Sequence, residues 1–112
     1  MLTTRGRRSG DERTVALQYM AVGPACVVVA SYIGEDRHPA WWLNLQAEPA
    51  ATIRRGRRAE SAHAREAEGE ERETLWRQMV AIDPGFAEYQ RRTSRRIPVV
   101  VLEPLGQALM DC

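Results

Sequence analysis

The sequence predicts a mainly β fold: a small antiparallel barrel of about six strands with two or three helices on its outside. Three observations support this: apolar runs rich in β-branched residues, segments that alternate apolar and polar residues, and helical segments with one apolar stripe. Neighbouring hairpins of this length close readily into a barrel. With 112 residues, the chain is expected to form a single domain over residues 1–112.

The first clear strands are expected to form a hairpin. Residues 14–20 alternate apolar and polar side chains, which predicts a half-buried strand. Residues 21–24 are the expected turn, and residues 25–32 the second strand, where a continuous apolar run indicates burial on both faces. Further strands are predicted near the N-terminus from Met1, over 52–55 and 58–65 joined at Gly56, and over 99–102 after Pro98.

Helical periodicity predicts the remaining elements. Pro39 suits the first position of a helix over 40–47, which ends before Pro49. Residues 68–82 form the longest predicted helix, because acidic residues near its start precede one apolar stripe. Residues 86–92 are expected to add a further helical turn or two.

Composition and charge argue against several classes of protein. The net charge is +1 although all 16 basic residues are arginine, and this balance argues against a general nucleic-acid binder. No apolar run approaches the roughly 20 residues that span a bilayer, and no signal peptide is visible, so a cytoplasmic location is expected. Cys26 and Cys112 are not expected to pair, and neither spacing nor a nearby histidine indicates a metal site.

The most informative motif is an arginine-rich stretch near the N-terminus. Residues 6–10 read Gly-Arg-Arg-Ser-Gly, and Arg13 follows closely. Glycine lets the main chain approach a ligand, and arginine donates to phosphate oxygens two at a time. The stretch therefore predicts an anion-binding loop, with a solvated hairpin turn as the alternative.

Three segments in order resemble one protein family. Residues 2–10 read LTTRGRRSG, residues 38–49 read HPAWWLNLQAEP, and residues 97–104 read IPVVVLEP. Together they resemble the actinobacterial deazaflavin-dependent nitroreductases and quinone reductases over nearly the whole chain. The resemblance implies a split β-barrel like that of flavin-binding pyridoxamine-phosphate oxidases. It also implies that the cofactor is coenzyme F420, a 5-deazaflavin with a phosphate and an oligoglutamate tail, in preference to FMN.

The resemblance implies roles for residues of this chain. The arginine-rich stretch would hold the phosphate and acidic tail, while a serine and a tryptophan would lie beside the deazaflavin ring. The alternative for the tryptophan is packing between the helix and the barrel. The family's usual lysine after that serine is Tyr32 here, and Arg37 is the candidate to supply the missing charge. The implied cofactor-binding residues are Arg7, Arg8, Ser9, Gly10, Arg13, Ser31 and Trp41.

The same resemblance places the substrate pocket near residues 81–90. Relatives carry tyrosines there at three-residue spacing, whereas this chain has Asp83, Phe86 and Tyr89. Phe86 and Tyr89 are the predicted pocket residues, and Tyr89 is the candidate catalytic proton donor. The alternative is that both belong to the core beneath a helix. His38, in a polar loop, is a less favoured acid or base.

The implied function is that of an F420H2-dependent oxidoreductase, an enzyme that transfers a hydride to a quinone, an enone or a nitroaromatic. A non-catalytic coenzyme carrier is one alternative. A nucleic-acid-binding barrel is another alternative, in which a cluster of four arginines would form the binding surface; these are Arg54, Arg55, Arg57 and Arg58. A solvated hairpin also explains this cluster. The expected partner is a small-molecule electron acceptor and not a nucleic acid. Peripheral membrane contact is expected if that acceptor is a menaquinone, and the choice between monomer and homodimer stays open.

Overall fold

The computed structural model describes residues 1–31 and 38–105, which form one antiparallel sheet and three helices. The strands are β1 (Leu2–Arg5), β2 (Glu12–Val15), β3 (Met20–Val22), β4 (Ala25–Val29), β5 (Ala50–Arg55), β6 (Arg58–Glu66) and β7 (Val99–Pro104). The helices are α1 (Ala40–Ala47), α2 (Gly69–Ile82) and α3 (Gly85–Arg92). The strand order is β2-β1-β5-β6-β7-β4-β3, and all neighbours are antiparallel. The prediction of a mainly β, antiparallel fold is confirmed.

The connection between the two edge strands shows that the sheet is strongly curved. β2 ends at Val15 and β3 begins at Met20, so residues 16–19 alone join opposite edges of the sheet. Five steps of extended chain reach about 18 Å at most, whereas seven strands laid flat would span about 29 Å. The sheet therefore rolls until its edges approach each other, as in a barrel.

Two clusters of buried residues lie on opposite faces of the sheet, and β4 and β7 contribute to both. The inner cluster draws on most strands and on α1; its larger members are Leu2, Cys26, Val28, Trp41, Trp42, Leu45, Ile53, Val100 and Leu102. The outer cluster lies against α2 and α3; its larger members are Val27, Val29, Leu75, Met79, Phe86, Ile97, Val99 and Val101. Successive residues of β4 and β7 alternate between the two clusters, which confirms that the β4 run is buried on both faces.

The prediction of one strand over residues 14–20 is wrong. β2 ends at Val15, and the strand pairing resumes at Met20 on the other edge of the sheet. Val15 and Leu17 pack against the inner cluster, whereas Met20 packs against the outer cluster. The alternation therefore reports burial of a connection that crosses between the edges of the sheet. Because the segment belongs to two strands, the described residues form seven strands, where about six are predicted.

The other predicted bounds shift by small amounts. The turn expected over 21–24 narrows to residues 23–24, where Gly23 has a φ of +58°. The strand predicted over 25–32 ends at Val29, and Tyr32 lies outside the described residues. β5, β6 and β7 each extend one or two residues beyond their predicted bounds.

The helices follow the predictions closely. α1 has the predicted bounds, but Pro39 caps the helix with an extended ψ of 152° and is not its first residue. α2 starts at Gly69, one residue later than predicted, with Glu70 and Glu71 in its first turn. The further helical turns expected after it form α3. In the part of the chain that the structure describes, no helix has the length and apolar character needed to cross a membrane.

Candidate functional site

The arginine-rich stretch forms the loop between β1 and β2. The Gly6 N–H donates to the Asp11 carbonyl at 2.7 Å, and the Gly10 N–H donates to the Gly6 carbonyl at 2.8 Å. Gly10 has a φ of +76°, a conformation that costs energy for residues with a Cβ. A Cβ added at Gly6 would lie 3.0 Å from Ser9 Oγ, so this position requires a close backbone approach. The loop therefore has a defined shape.

A buried asparagine of α1 ties this loop to the helix. Asn44 is 3% exposed, and its Oδ1 accepts hydrogen bonds from the backbone N–H of Arg7 at 3.2 Å and from Arg7 Nη1 at 3.1 Å. Its Nδ2 donates to Thr4 Oγ1 on β1 at 3.2 Å. These bonds fix the loop, β1 and α1 relative to one another.

The loop and α1 enclose a cleft of about 480 Å³, a volume typical of small-molecule sites. Residues of the loop and of β2 form a polar, charged wall, and residues at the start of α1 form a second wall. The polar wall includes Arg7, Arg8, Ser9 and Arg13, and the helical wall Pro39, Ala40 and Trp41. The cleft therefore brings cationic donors and the small exposed part of Trp41, which is 8% exposed and packs in the inner cluster, to the same space.

In the part of the chain that the structure describes, no ion pair neutralises the positive charge of this wall. Within residues 1–31 and 38–105, Arg8 and Arg13 are exposed and take part in no side-chain hydrogen bond or ion pair. Arg7 bonds to a neutral amide and not to a carboxylate. The Ser9 hydroxyl accepts from the Asp11 N–H at 3.2 Å, which leaves its own O–H free to donate. An anion in the cleft would meet these donors without displacing a salt bridge.

The structure brings together most of the predicted cofactor-binding residues. Those lining the cleft are Arg7, Arg8, Ser9, Arg13 and Trp41. Gly10 does not line the cleft, although its positive φ shapes the loop. Ser31 lies two residues beyond β4, is half-buried, and does not line the cleft either. Its role beside the ring stays a prediction, and Arg37, the proposed compensating cation, lies outside the described residues.

The predicted substrate-pocket residues lie on the outer face of the sheet. Phe86 is 7% exposed in the outer cluster, and Tyr89 packs against that cluster. The two rings meet edge to face with 6.2 Å between their centroids. Neither residue lines the arginine-lined cleft. The structure shows the core placement given above as the alternative, and a role in the substrate pocket stays a prediction.

The four arginines around the β5–β6 turn are partly paired. Arg55 and Arg58 both contact the carboxylate of Glu60, at 3.5 Å and 2.7 Å. Arg54 and Arg57 are exposed. These contacts agree with a solvated hairpin.

The sequence predicts structural hydrogen bonds of Asn44 around its helix, but it predicts neither the partners of Asn44 nor the contacts of Arg95. Asn44 was recognisable in the sequence, because a polar side chain on the buried face of a helix requires hydrogen-bond partners. Arg95 gave no signal, being one arginine among many, yet its guanidinium contacts His38 and the end of β4. Both arrangements join residues that are distant in the sequence.

Comparison with known proteins identifies the family of this chain. The family described as F420H(2)-dependent quinone reductase matches residues 1–104. An F420H(2)-dependent quinone reductase of Mycobacterium tuberculosis strain H37Rv is 35% identical over 105 residues, which are 91% of this chain and 70% of that protein.

Two solved structures are also similar to this chain. One is described as an F420-H2 dependent reductase (FDR-A) and the other as a domain-swapped dimer; each is 40% identical, with a TM-score of 0.84. Both matches cover 91% of this chain, with 90% of the first structure and 77% of the second. The likeness confirms the predicted split-barrel class. The chain thus belongs to the F420H(2)-dependent quinone reductase family and is an oxidoreductase whose cofactor is coenzyme F420.

Proposed function

We propose that the arginine-lined cleft binds the anionic end of coenzyme F420, and that the start of α1 positions its ring for hydride transfer to a quinone. One observation carries the proposal: Trp41 and arginines without an ion pair among the described residues line the same cleft of about 480 Å³. A solvated turn requires no aromatic residue in the lining of the same space.

The residues of the cleft fit the chemistry of this coenzyme. F420 has a phosphate and an acidic tail at one end and a flat ring system at the other. Guanidinium groups suit the anionic end because they form charge-assisted, bidentate hydrogen bonds. The wall formed by Pro39, Ala40 and Trp41 suits the ring, since an indole can cover one face of an aromatic system.

The chain contributes position and electrostatics to the reaction. The reduced coenzyme supplies the hydride when it is bound. Arg8 and Arg13 would hold the anionic end of the coenzyme. Asn44 and Trp41 both belong to α1, so the hydrogen bonds of Asn44 to Arg7 also fix the position of Arg7 relative to Trp41. A fixed orientation of two flat reactants is the main catalytic contribution expected, because it removes the entropic cost of their encounter.

The acceptor is proposed to be a quinone, and enones and nitroaromatics are flat electrophiles that suit the same geometry. Tyr89 stays the candidate proton donor. A Tyr89→Phe variant with an unchanged kcat would assign the residue to the core alone, whereas a fall of about tenfold at unchanged KM would support proton donation.

The experiment that tests the site is the affinity of the Arg8→Ala, Arg13→Ala double variant for F420, followed by fluorescence titration. Charge-assisted hydrogen bonds contribute about 1.5–3 kcal/mol each, so binding should weaken by about tenfold or more. Neither arginine forms a side-chain hydrogen bond or an ion pair in the described part of the chain, so the fold should be unaffected.

The matched control replaces Arg54 and Arg57 by alanine. Both are exposed and neither lines the cleft, so this variant removes the same charge at a different place. Its affinity should match that of the unmodified protein. Equal affinities in the two double variants would contradict phosphate binding by the loop. Oxidation of the reduced coenzyme by menadione, measured in parallel, should show a raised KM for coenzyme in the Arg8, Arg13 variant.

We also propose that the chain forms a homodimer. The support is the structural neighbour described as a domain-swapped dimer, together with two edge strands, β2 and β3, that leave backbone groups unpaired among the described residues. Arg13, Thr14 and Val15 of β2 line the cleft, so a partner at this edge would border the coenzyme. Analytical ultracentrifugation at micromolar concentration should give twice the mass of one chain, and a monomer mass would refute the proposal.

A further inference from the structure

Arg95 connects the two segments that flank residues 32–37. It lies between α3 and β7, and its Nη2 donates to the carbonyl of Ala30 at 2.9 Å and to that of Ser31 at 2.8 Å. Its Nη1 lies 3.0 Å from Nδ1 of His38. One guanidinium therefore bonds to the chain just before residue 32 and just after residue 37.

The backbone around Arg95 is itself fixed by α3 and β4. Gln90 of α3 donates from Nε2 to the Arg95 carbonyl at 2.8 Å and accepts the Ile97 N–H at 3.0 Å through Oε1. The Ala30 N–H donates to the carbonyl of Pro98 at 3.0 Å, which extends the β4–β7 pairing. The guanidinium thus projects from a rigid segment.

Through His38, Arg95 is connected to the residues of α1 that form the wall of the cleft. His38 directly precedes Pro39, and the Pro39 carbonyl accepts the Trp42 and Leu43 N–H groups that begin α1. Pro39, Ala40 and Trp41 line the cleft on that side. A fixed His38 therefore fixes the point from which the aromatic wall starts.

We propose that Arg95 is a positioning residue for the coenzyme site, holding Ser31 and the His38–Trp41 wall at a set separation. This role rests on the proposed function of the cleft. Arg95 does not line the cleft itself, and it acts through the residues that it bonds. Lysine cannot replace it, because a single ammonium group lacks the planar fork that reaches several acceptors at once.

The geometry also defines the state of the imidazole. A guanidinium has no acceptor atom, so Nδ1 of His38 must accept the hydrogen bond and the ring proton must sit on Nε2. Burial, and next the charge of Arg95, lower the pKa of His38 and so favour the neutral ring, while the charge of Glu66 acts in the opposite direction. Arg95 thereby selects one neutral tautomer, which gives the proposal a spectroscopic signature.

The first test reads that tautomer by NMR of protein labelled with ¹⁵N-histidine. The chain contains two histidines, so a His63→Gln variant assigns the signals. His38 should show a protonated Nε2 and an unprotonated Nδ1 in the unmodified protein at pH 7.5. Arg95→Lys and Arg95→Met should shift both nitrogens toward averaged tautomers, and Arg96→Lys, an exposed neighbour, should not.

The second test is F420 affinity in the same variants. If the competent arrangement of the wall falls to about one tenth of the population, the apparent affinity weakens by about tenfold. We expect this in Arg95→Lys and in Arg95→Met, with Arg96→Lys unchanged and circular dichroism identical in all variants. Should Arg95→Met fail to fold, the milder Arg95→Lys carries the test.

The outcomes separate the two proposals. An unmodified protein that does not bind F420 would refute the proposed function of the cleft. An unmodified protein that binds, together with Arg95 variants of unchanged His38 signals and unchanged affinity, would refute the positioning role alone.

Discussion

Asn44 shows how much of the site depends on a single carboxamide. It is buried, and it bonds the backbone and the guanidinium of Arg7 as well as the Thr4 hydroxyl. Buried polar groups stay stable only while each donor and acceptor is paired. Asn44 therefore supports the shape of the arginine loop as well as the packing of α1.

Replacing Asn44 separates these two roles. Asn44→Leu leaves the Arg7 amide and the Thr4 hydroxyl unpaired, which should lower the free energy of unfolding by about 1–3 kcal/mol. Asn44→Asp keeps an acceptor for Arg7 but neutralises its charge, so it should weaken F420 binding by about tenfold with a smaller loss of stability.

Urea unfolding and coenzyme titration measure both effects, with Gln46→Leu, an exposed change on the same helix, as the control. Asn44→Asp protein that binds F420 as tightly as the unmodified chain would show that Arg7 contributes no charge to the site.

The arginine loop was predictable at the residue scale, whereas its partners were not. Glycines around an Arg-Arg-Ser stretch indicate an anion loop because each residue type has a local reason to be there. Asn44 is 37 positions from Arg7, and Arg95 is 57 positions from His38. No local pattern in a single sequence reports pairs at such separations.

Elements bounded by proline were predicted best. Pro39 and Pro49 restrict the backbone on either side of α1, and the structure places the helix between them as expected. Residues 14–20 were predicted poorly because apolar and polar positions alternate through the whole segment, although it leaves one edge of the sheet at Val15 and joins the other edge at Met20. Alternation records which side chains are buried, and it does not record which strand they pair with.

An ion-pair triad joins three elements at the scale of secondary structure. Arg65 of β6 contacts Glu71 of α2 at 2.6 Å and Glu103 of β7 at 2.8 Å. Its hydrogen bond lowers the pKa of Glu71 below the ordinary value for a glutamate. A carboxyl group with a lowered pKa stabilises the fold above its unfolded-state pKa, and this contribution disappears as the pH falls through the folded-state pKa.

Glu71→Gln should therefore destabilise the protein at pH 7, and the destabilisation should be smaller at pH 3. The partners are about half exposed, so solvent screening limits the loss to under about 1 kcal/mol. Urea unfolding at the two pH values measures it. Glu70→Gln is the control, since Glu70 lies in the same first turn without an ion pair among the described residues. An equal destabilisation at both pH values would show that packing and not charge accounts for the effect.

At the scale of the whole molecule, one short connection determines the architecture. Residues 16–19 join the two edges of a seven-stranded sheet, and this is physically compatible only with a rolled sheet. The roll gives β1, the loop after it and α1 a common side, where the cleft forms. The cleft is thus a consequence of closure, and its formation should be coupled to the stability of the whole barrel.

Cys26 offers a direct measurement of that coupling. It is 3% exposed in the inner cluster, and burial raises the pKa of its thiol, so it should react with a thiol reagent only when the barrel opens. In a Cys112→Ser variant, Cys26 is the remaining cysteine. A ligand that binds only the closed state reduces the population of the open state by a factor of one plus the ratio of the ligand concentration to Kd.

F420 at a concentration of 100 Kd should therefore slow the labelling of Cys26 by about a hundredfold at constant pH. At the same coenzyme concentration, the Arg8→Ala, Arg13→Ala variant should show much less protection, because its site is less occupied. If Cys26 is labelled equally fast with and without bound coenzyme, the cleft persists when the inner cluster opens. The arginine loop and α1 would then form a unit that is independent of the barrel, contrary to the coupling argued from its closure.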